Sequence, residues 1–369
     1  MGNQRSPFGG RPAPERYGGR VRGEYKVPGG KLVSVELDIV DDRLANVHVA
    51  GDFFLEPDSA LGDIDRALTG MPVGATGAQL TDSVISALPP GVEMVGFDAQ
   101  AVGIAVRRAV GAATSWGDHT FDLIPPMTLP PVLHVALDEV LSKEVAAGRR
   151  PPLLRIWDWD SSVVVIGSFQ SVRNEIDSEA AAKYHISVVR RVSGGGAMFM
   201  EPGNCITYSM VVPPSLVEGM SFIQSYAFLD AWVVEALAKV GVNARYVPIN
   251  DIASDKGKIG GAAQKRFVAG AVLHHATMAY DIDAEKMMQV IRIGREKISD
   301  KGIRSAVKRV DPMRSQTGMS RAAIIDSLMT SFRGGHRVRE SRYTEAELDA
   351  ARQLADTKFL SDAWTYRVP

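Results

Sequence analysis

The first regular pattern in the chain is an alternation. Between Lys31 and Val40 the apolar positions Val33, Val35, Leu37 and Ile39 interleave with Ser34, Glu36 and Asp38. Period-two alternation puts one set on each face of a pleated backbone, so a half-buried strand is predicted. Asp41-Asp42 supplies a turn, and Leu44 to Ala50 reads as the returning strand of a hairpin. The period then lengthens. Asp58 is placed to cap a helix that runs to Leu68 and stops at Gly70. A second helix is predicted over Ala78–Leu88, and Asp98 opens a third that ends at Gly111. Residues 25–111 are expected to form a small α+β unit.

From Ala112 to Pro131 neither period holds. Pro125-Pro126 and Pro130-Pro131 lack amide donors and do not suit a helix interior or a central strand, so residues 112–131 read as a linker. Residues 132–369 then make a second, larger domain. It opens on a helix, Val132–Ala147, with Leu133, Ala136, Leu137, Val140 and Leu141 as its apolar stripe. Strands follow at Leu153–Trp157, Val163–Ile166 and Cys205–Val212, then a long helix at Ser221–Val240 closed by Gly241. Arg245–Val247 and Lys258–Ile259 read as short strands around a loop, and Phe267–Ile282 as a strand pair or one bent strand. The last third is helical, with Thr344 and Glu347 as a capping box for a helix reaching Lys358.

Composition narrows the class. In 369 residues, 42 basic against 43 acidic side chains give a net charge of −1, so neither nucleic acid nor an anionic membrane is indicated as the main partner. No apolar run approaches membrane-spanning length. One cysteine, Cys205, excludes an intrachain disulfide and any multi-cysteine metal site, and suits a reducing, cytoplasmic setting. Gly2 and Ser6 meet a myristoylation pattern short enough to arise by chance. Residues 1–24, with no apolar core for a secretory signal, are expected to be a disordered tail.

The candidate chemistry begins at Arg190–Asn204, RRVSGGGAMFMEPGN. Gly194, Gly195 and Gly196 offer no side chain to a core and lose much backbone entropy on ordering. A flexible surface loop is one reading. Fused to an arginine pair and strand-like flanks, the run reads better as a cradle where a ligand meets the backbone. A second polar cluster holds Asn250, Asp251 and Lys258, the lysine flanked by Gly257 and Gly260-Gly261. Asp251 is a candidate ligand for a divalent cation, Asn250 for a phosphate or ribose; alone, the lysine would read as a solvated charge. His274 and His275, neighbours on a strand, point to opposite faces and do not readily share one metal ion. The P-loop and Rossmann glycine patterns and the G-x-S-x-G nucleophile elbow are all missing.

Taken in order, RRVSGGGAMFMEPGN, NDI, GKIGGAAQKR and LHHATM resemble the motifs of the lipoate–protein ligases, of the biotin/lipoate ligase fold. ALDEVL, VVIGSFQ and SDKGIRSAVKRV add to the likeness, which covers Pro131 onward. The segment Tyr25–Gly111, with its GDFF, looks like the family's accessory domain placed first in the chain. The resemblance implies an α+β catalytic domain with a mixed central sheet and flanking helices, beside a small α+β accessory domain. It implies ATP-dependent activation of lipoate or octanoate as acyl-AMP, with Mg2+, and transfer to a lysine. The acceptors would be lipoyl domains of a 2-oxo-acid dehydrogenase E2 or the glycine-cleavage H protein.

By the same resemblance Lys258 would bridge carboxylate and α-phosphate, stabilising charge in both half-reactions. Asp251 would position Mg2+. Arg190, Arg191, Ser193, Gly194, Gly195, Gly196, Ala197, Asn204, Asn250, His275 and Thr277 would hold acyl chain and nucleotide. The sequence departs from the family at Met200-Glu201 (usually His-Asp), at Ser168 (often arginine), at Gly261-Ala262 and at Ala276. Two alternatives are a non-catalytic acyl- or nucleotide-binding homologue and an ATP-independent octanoyl or lipoyl transferase. The second needs an activated thiol, and Cys205 reads as structural. A biotin ligase would carry a G-R-G-R-type loop where this chain has RRVSGGG.

Overall fold

The computed structural model describes residues 20–27, 29–111, 113–292 and 310–369. They fall into two units, one of residues up to Ser115 with Ser215–Ser221, the other of Trp116–Pro214 and Phe222–Pro369. Residues 1–19, most of the expected tail, and Ser299–Arg309 of the SDKGIRSAVKRV motif lie outside the described residues.

In the first unit the predicted alternation forms β2 (Leu32–Val40), the middle of an antiparallel sheet with β1 (Val21–Lys26) and β3 (Arg43–Gly51). Val33, Val35 and Leu37 are fully buried; Ile39, beyond a register shift at Glu36/Asp38, is exposed. Regular structure starts at Val21, earlier than the tail boundary at residue 24. β4 (Phe54–Glu56) pairs with β5 (Glu93–Val95). Helix α1 (Ala60–Leu68) has Ser59 rather than Asp58 as its N-cap, without a side-chain bond. α2 (Gly77–Ala87) starts from a Thr76–Gln79 capping box, and α3 (Ala99–Ala109) from the Asp98 carboxylate, as predicted. α3 packs on β1 and β2, so closely that a Cβ at Gly23 would lie 2.1 Å from Ala105 O. Ser215–Ser221 joins this unit through Thr114 N to Ser215 O (2.8 Å) and Gln100 Nε2 to Gly219 O (2.7 Å).

The second unit is built on a mixed eight-stranded sheet. One edge carries β12 (Arg245–Val247), β13 (Asp251–Ala253), β14 (Lys258–Phe267) and β15 (Ala271–Ala279). The order continues through β11 (Cys205–Val212), β7 (Leu153–Trp159), β6 (Thr120–Leu129) and β16 (Arg337–Glu340). Pairing is antiparallel from β12 to β7 and parallel from β7 to β16.

Two expectations are corrected here. The proline-rich segment is a strand, β6, and not a linker throughout. β16 pairs only with Thr120–Leu123, and the pairing with β7 shifts register between Ile124 and Met127. Pro125 and Pro126 therefore sit at an irregularity on a one-sided stretch of strand, where a missing N–H costs little. Lys258–Ile259, too, is no isolated pair. It begins a ten-residue strand whose hairpin turns at Gly270.

Helix α4 (Pro131–Ala146) lies against β11 and β15 and is buried almost all round, and Glu345–Leu354 packs on it after the predicted Thr344–Glu347 capping box. Two short helices, α5 (Val172–Glu175) and α6 (Ser178–Lys183), border a smaller sheet. In it β8 (Val163–Ile166) pairs with β9 (Ser187–Arg190) in parallel and with β10 (Met198–Met200) antiparallel. Helix α7 (Phe222–Lys239) packs against β14 and against Arg321–Gly335. Among the described residues no helix is long and apolar enough to cross a membrane.

Candidate active site

The triple-glycine run connects β9 to β10. At its start the two arginines part ways. Arg190 is fully buried, and its guanidinium donates to the carbonyls of Gly167, Ser168, Gln170, Trp364 and Thr365. Every donor is engaged, so the expectation that Arg190 holds substrate anions is corrected: it anchors the loop. Arg191 turns toward a cavity and gathers the loop around itself. Its Nη2 donates to Gly194 O (2.6 Å) and Gly196 O (3.0 Å), its Nη1 to Val165 O (3.2 Å). With those carbonyls held, the amides of Gly194, Gly195 and Gly196 donate to no group among the described residues. Free amides in succession make a concave anion site. Gly195 is required twice over, by φ of +94° and by the 2.9 Å between a would-be Cβ and Arg191 Nη2.

The facing wall comes from β13 and β14. Lys258 Nζ pairs with Asp251 Oδ1 at 2.8 Å, and the lysine side chain remains 45% exposed. The lysine folds back along its strand, and a Cβ at Gly261 would stand 3.1 Å from Nζ. Asn250 Nδ2 donates to Ala262 O (2.6 Å) while Ala262 N donates to Asn250 O (2.9 Å), which locks the loop before β13 onto β14.

Between the walls is an open cavity of ≈ 100 Å³. Arg191, Gly196, Ala197, Asn250, Lys258, His275 and Thr277 line it, seven of the residues singled out from the sequence. Trp157, Val165, Met198, Met200, Ala262 and Ala263 add an apolar side that suits an aliphatic chain. Met200 is buried, with its sulfur 3.6 Å from the Thr207 hydroxyl, which also lies 3.0 Å from Thr277 Oγ1. Ser193, Gly194, Gly195 and Asp251 are not among the lining residues: Ser193 is buried behind the loop, Gly195 is exposed, and Gly194 and Asp251 are half-buried. Asn204 does not reach the cavity: its side chain caps the turn by accepting from Glu201 N (2.8 Å), a correction to its expected ligand role.

The two histidines do point apart. His274 Nε2 lies 2.6 Å from Asp230 Oδ1 of α7 in the core, and Tyr208 donates to the same oxygen. His275 faces the cavity, with Nδ1 2.7 Å from Asp138 Oδ2 of α4. Burial holds the His275 pKa below its usual value, against the pull of Asp138. Burial would raise the Asp138 carboxyl, but Arg155, donating at 2.5 Å, holds it down to about 2.

Asp138 and Arg155 were not anticipated. The signal available was His134, Asp138 and Ser142 at successive helical turns, a polar line on a helix whose apolar stripe lies elsewhere. Among the described residues no three His, Cys, Asp or Glu side chains gather to hold a metal ion. Asp251 offers one carboxylate, with Oδ1 taken by Lys258. That fits an ion held chiefly by substrate phosphates, as Mg2+ commonly is, and not a protein-built cage.

This fold is of the biotin/lipoate ligase type. The chain belongs to the lipoyl protein ligase A/B catalytic domain family, whose model matches residues 130–333. It is 28% identical over 262 residues to octanoyltransferase LipM of Kyrpidia tusciae, covering 63% of this chain and 94% of that protein. Among solved structures it resembles the bi-partite lipoate protein ligase of Thermoplasma acidophilum, studied with its E2 lipoyl domain. The TM-score is 0.61 at 27% identity, over 68% of this chain and 98% of that one. A lipoate-protein ligase A bound with ATP gives a TM-score of 0.59 at 25% identity, covering 68% and 100%.

Proposed function

We propose that this chain is an ATP-dependent lipoate–protein ligase. It activates lipoate or octanoate as the acyl-adenylate and passes the acyl group to a lysine of a lipoyl domain. The observation that carries the reading is that Lys258 and Gly196, at the end of the glycine run, line one cavity that is apolar on its third side. A carboxylate attacking an α-phosphate concentrates negative charge between two anions, and preorganised donors favour that transition state over the separated reactants. Lys258 supplies a mobile cation, Gly194–Gly196 fixed amides, and Asn250 a support for the nucleotide. Asp251 would hold Mg2+ on the phosphates, neutralising part of their charge when bound. Pyrophosphate leaves; the acceptor amine then attacks the acyl carbonyl and AMP departs, again stabilised by Lys258.

The similarity to an octanoyltransferase favours a second reading, ATP-independent transfer through an acyl-enzyme. That route as a cysteine chemistry needs a reactive thiolate. The one cysteine, Cys205, is fully buried, and burial pushes its thiol pKa up. The ligase reading is therefore preferred. E2-type lipoyl domains and the glycine-cleavage H protein are the proposed acceptors, the cytoplasm the setting, and the first unit an accessory domain.

One assay separates the readings: protein, Mg2+, octanoate or lipoate and an apo lipoyl domain, with and without ATP, followed by intact mass. A gain on the acceptor that requires ATP supports the ligase. A gain from an octanoyl thioester without ATP replaces it with the transferase, and binding without any gain replaces both with the non-catalytic homologue.

A further inference from the structure

Behind the cavity a row of buried polar groups runs from helix α4 to the glycine loop. Arg155 Nη2 donates to one oxygen of Asp138, and the other oxygen meets His275 Nδ1 at 2.7 Å. His275 Nε2 lies 2.6 Å from Ser193 Oγ, which accepts from Arg191 Nε at 3.0 Å. Arg155 and Ser193 are fully buried, and Asp138 is 1% exposed.

The two ends fix the direction of every bond. A guanidinium only donates and an ionised carboxylate only accepts. Asp138, kept ionised by Arg155, must receive the Nδ1 proton of His275. Burial keeps that imidazole neutral, so Nε2 is bare and accepts the Ser193 hydroxyl proton. A lone pair of Ser193 Oγ is thereby left for Arg191 Nε–H. The remaining nitrogens of Arg191 hold the carbonyls of Val165, Gly194 and Gly196. Serine, histidine and aspartate in this order also build nucleophilic triads. Here Ser193 lies behind Arg191 without exposure, so its hydroxyl relays direction and does not attack substrate.

We propose that Asp138 and Arg155 are positioning residues. Through His275 and Ser193 they set the orientation of Arg191, and through Arg191 the glycine amides that receive the anionic end of the acyl substrate. The inference rests on the reading that the cavity takes an acyl-phosphate.

Asp138→Asn tests it with little change of shape. Arg155 would retain the amide oxygen and turn the NH2 toward His275 Nδ1, moving the imidazole proton to Nε2. Ser193 Oγ would then accept on both lone pairs, from Nε2–H and from Arg191 Nε–H, and its own buried hydroxyl proton would lose its acceptor, which loosens the contact to Arg191. Nitrogen-15 NMR of the full chain should show wild-type His275 neutral with the proton on Nδ1, and on Nε2 in the variant. The kcat for acyl transfer should fall about 10- to 100-fold, with KM for the lipoyl domain unchanged. Added to Ser193→Ala, which cuts the row, Asp138→Asn should change kcat less than about twofold. A wild-type His275 carrying its proton on Nε2, or factors that multiply in the double variant, would overturn the proposal. The tautomer measurement on wild-type protein needs no substrate and no folded variant. If transfer proves to use a thioester instead of ATP, the ligase reading falls while the same cycle, run with the thioester, still judges the relay.

Discussion

Replacing Lys258 by alanine removes the one mobile cation proposed for the cavity and little else. Its ion pair with Asp251 is partly exposed, 45% and 35% for the two side chains, and pairs of that kind contribute roughly 0–1 kcal/mol to stability. The apolar stem packs lightly, so unfolding free energy should change by less than about 1 kcal/mol. The rate should respond on another scale. A unit charge about 4 Å from a developing oxyanion, at an effective dielectric near 20, is worth about 4 kcal/mol. Loss of one preorganised donor elsewhere costs about 10²–10³ in rate, or roughly 2.7–4 kcal/mol, which agrees. Pyrophosphate exchange with ATP in the presence of octanoate reports the first half-reaction, and single-turnover transfer from preformed octanoyl-adenylate reports the second. Lys258→Ala should lower both by 10² or more while the urea midpoint stays put. Exchange within about threefold of wild type would refute the role given to Lys258.

Other outcomes follow from the same geometry. Cys205→Ala should keep full transfer activity, at a cost of about 1 kcal/mol for a small buried group; loss of transfer in a folded variant would restore the thiol route. Arg190→Ala should leave several buried carbonyls unpaired and lower stability by about 3 kcal/mol or more, visible in thermal melts as a lower Tm, whereas a surface arginine would cost almost nothing. Acid should weaken the fold before the carboxylates titrate. Burial, then Arg155, hold His134 neutral, its pKa down to about 3. The unfolded chain therefore takes up that proton first, so stability present above pH ~6.5 is lost as pH falls from there toward 3. Asp138, also depressed, adds a further loss between about pH 4 and 2. Urea titrations across pH should show that slope, and His134→Gln should flatten its upper part.

Much of this architecture is legible in side-chain periods. The β2–β3 hairpin, α3, α4 and the Thr344–Glu347 cap depend on local pattern, and local pattern predicts them. β6 is hidden by its prolines, which argue against a central strand, whereas only a short stretch of it has partners on both sides. The site was legible as a set of motifs but not as a division of labour. RR reads as two equivalent cations, yet only Arg191 lines the cavity, and there its nitrogens hold the carbonyls of the glycine loop. Adjacent residues of extended backbone face opposite ways, which separates His274 from His275 within β15 and, where β9 ends, Arg190 from Arg191. Asn204 is hidden for a related reason: in this Pro-Gly-Asn turn the side chain caps its own backbone, and spacing does not reveal that.

The anchoring of Arg190 also sets an order in time. Two of its carbonyl partners, on Trp364 and Thr365, lie 174 and 175 residues further along the chain. At synthesis rates of about 5–20 residues per second, roughly 10 to 35 s separate the appearance of the arginine from that of its partners. Throughout that interval the guanidinium has only the carbonyls of Gly167, Ser168 and Gln170 among these partners. A ribosome-bound chain can therefore complete most of the large sheet before the start of the glycine loop is fully anchored.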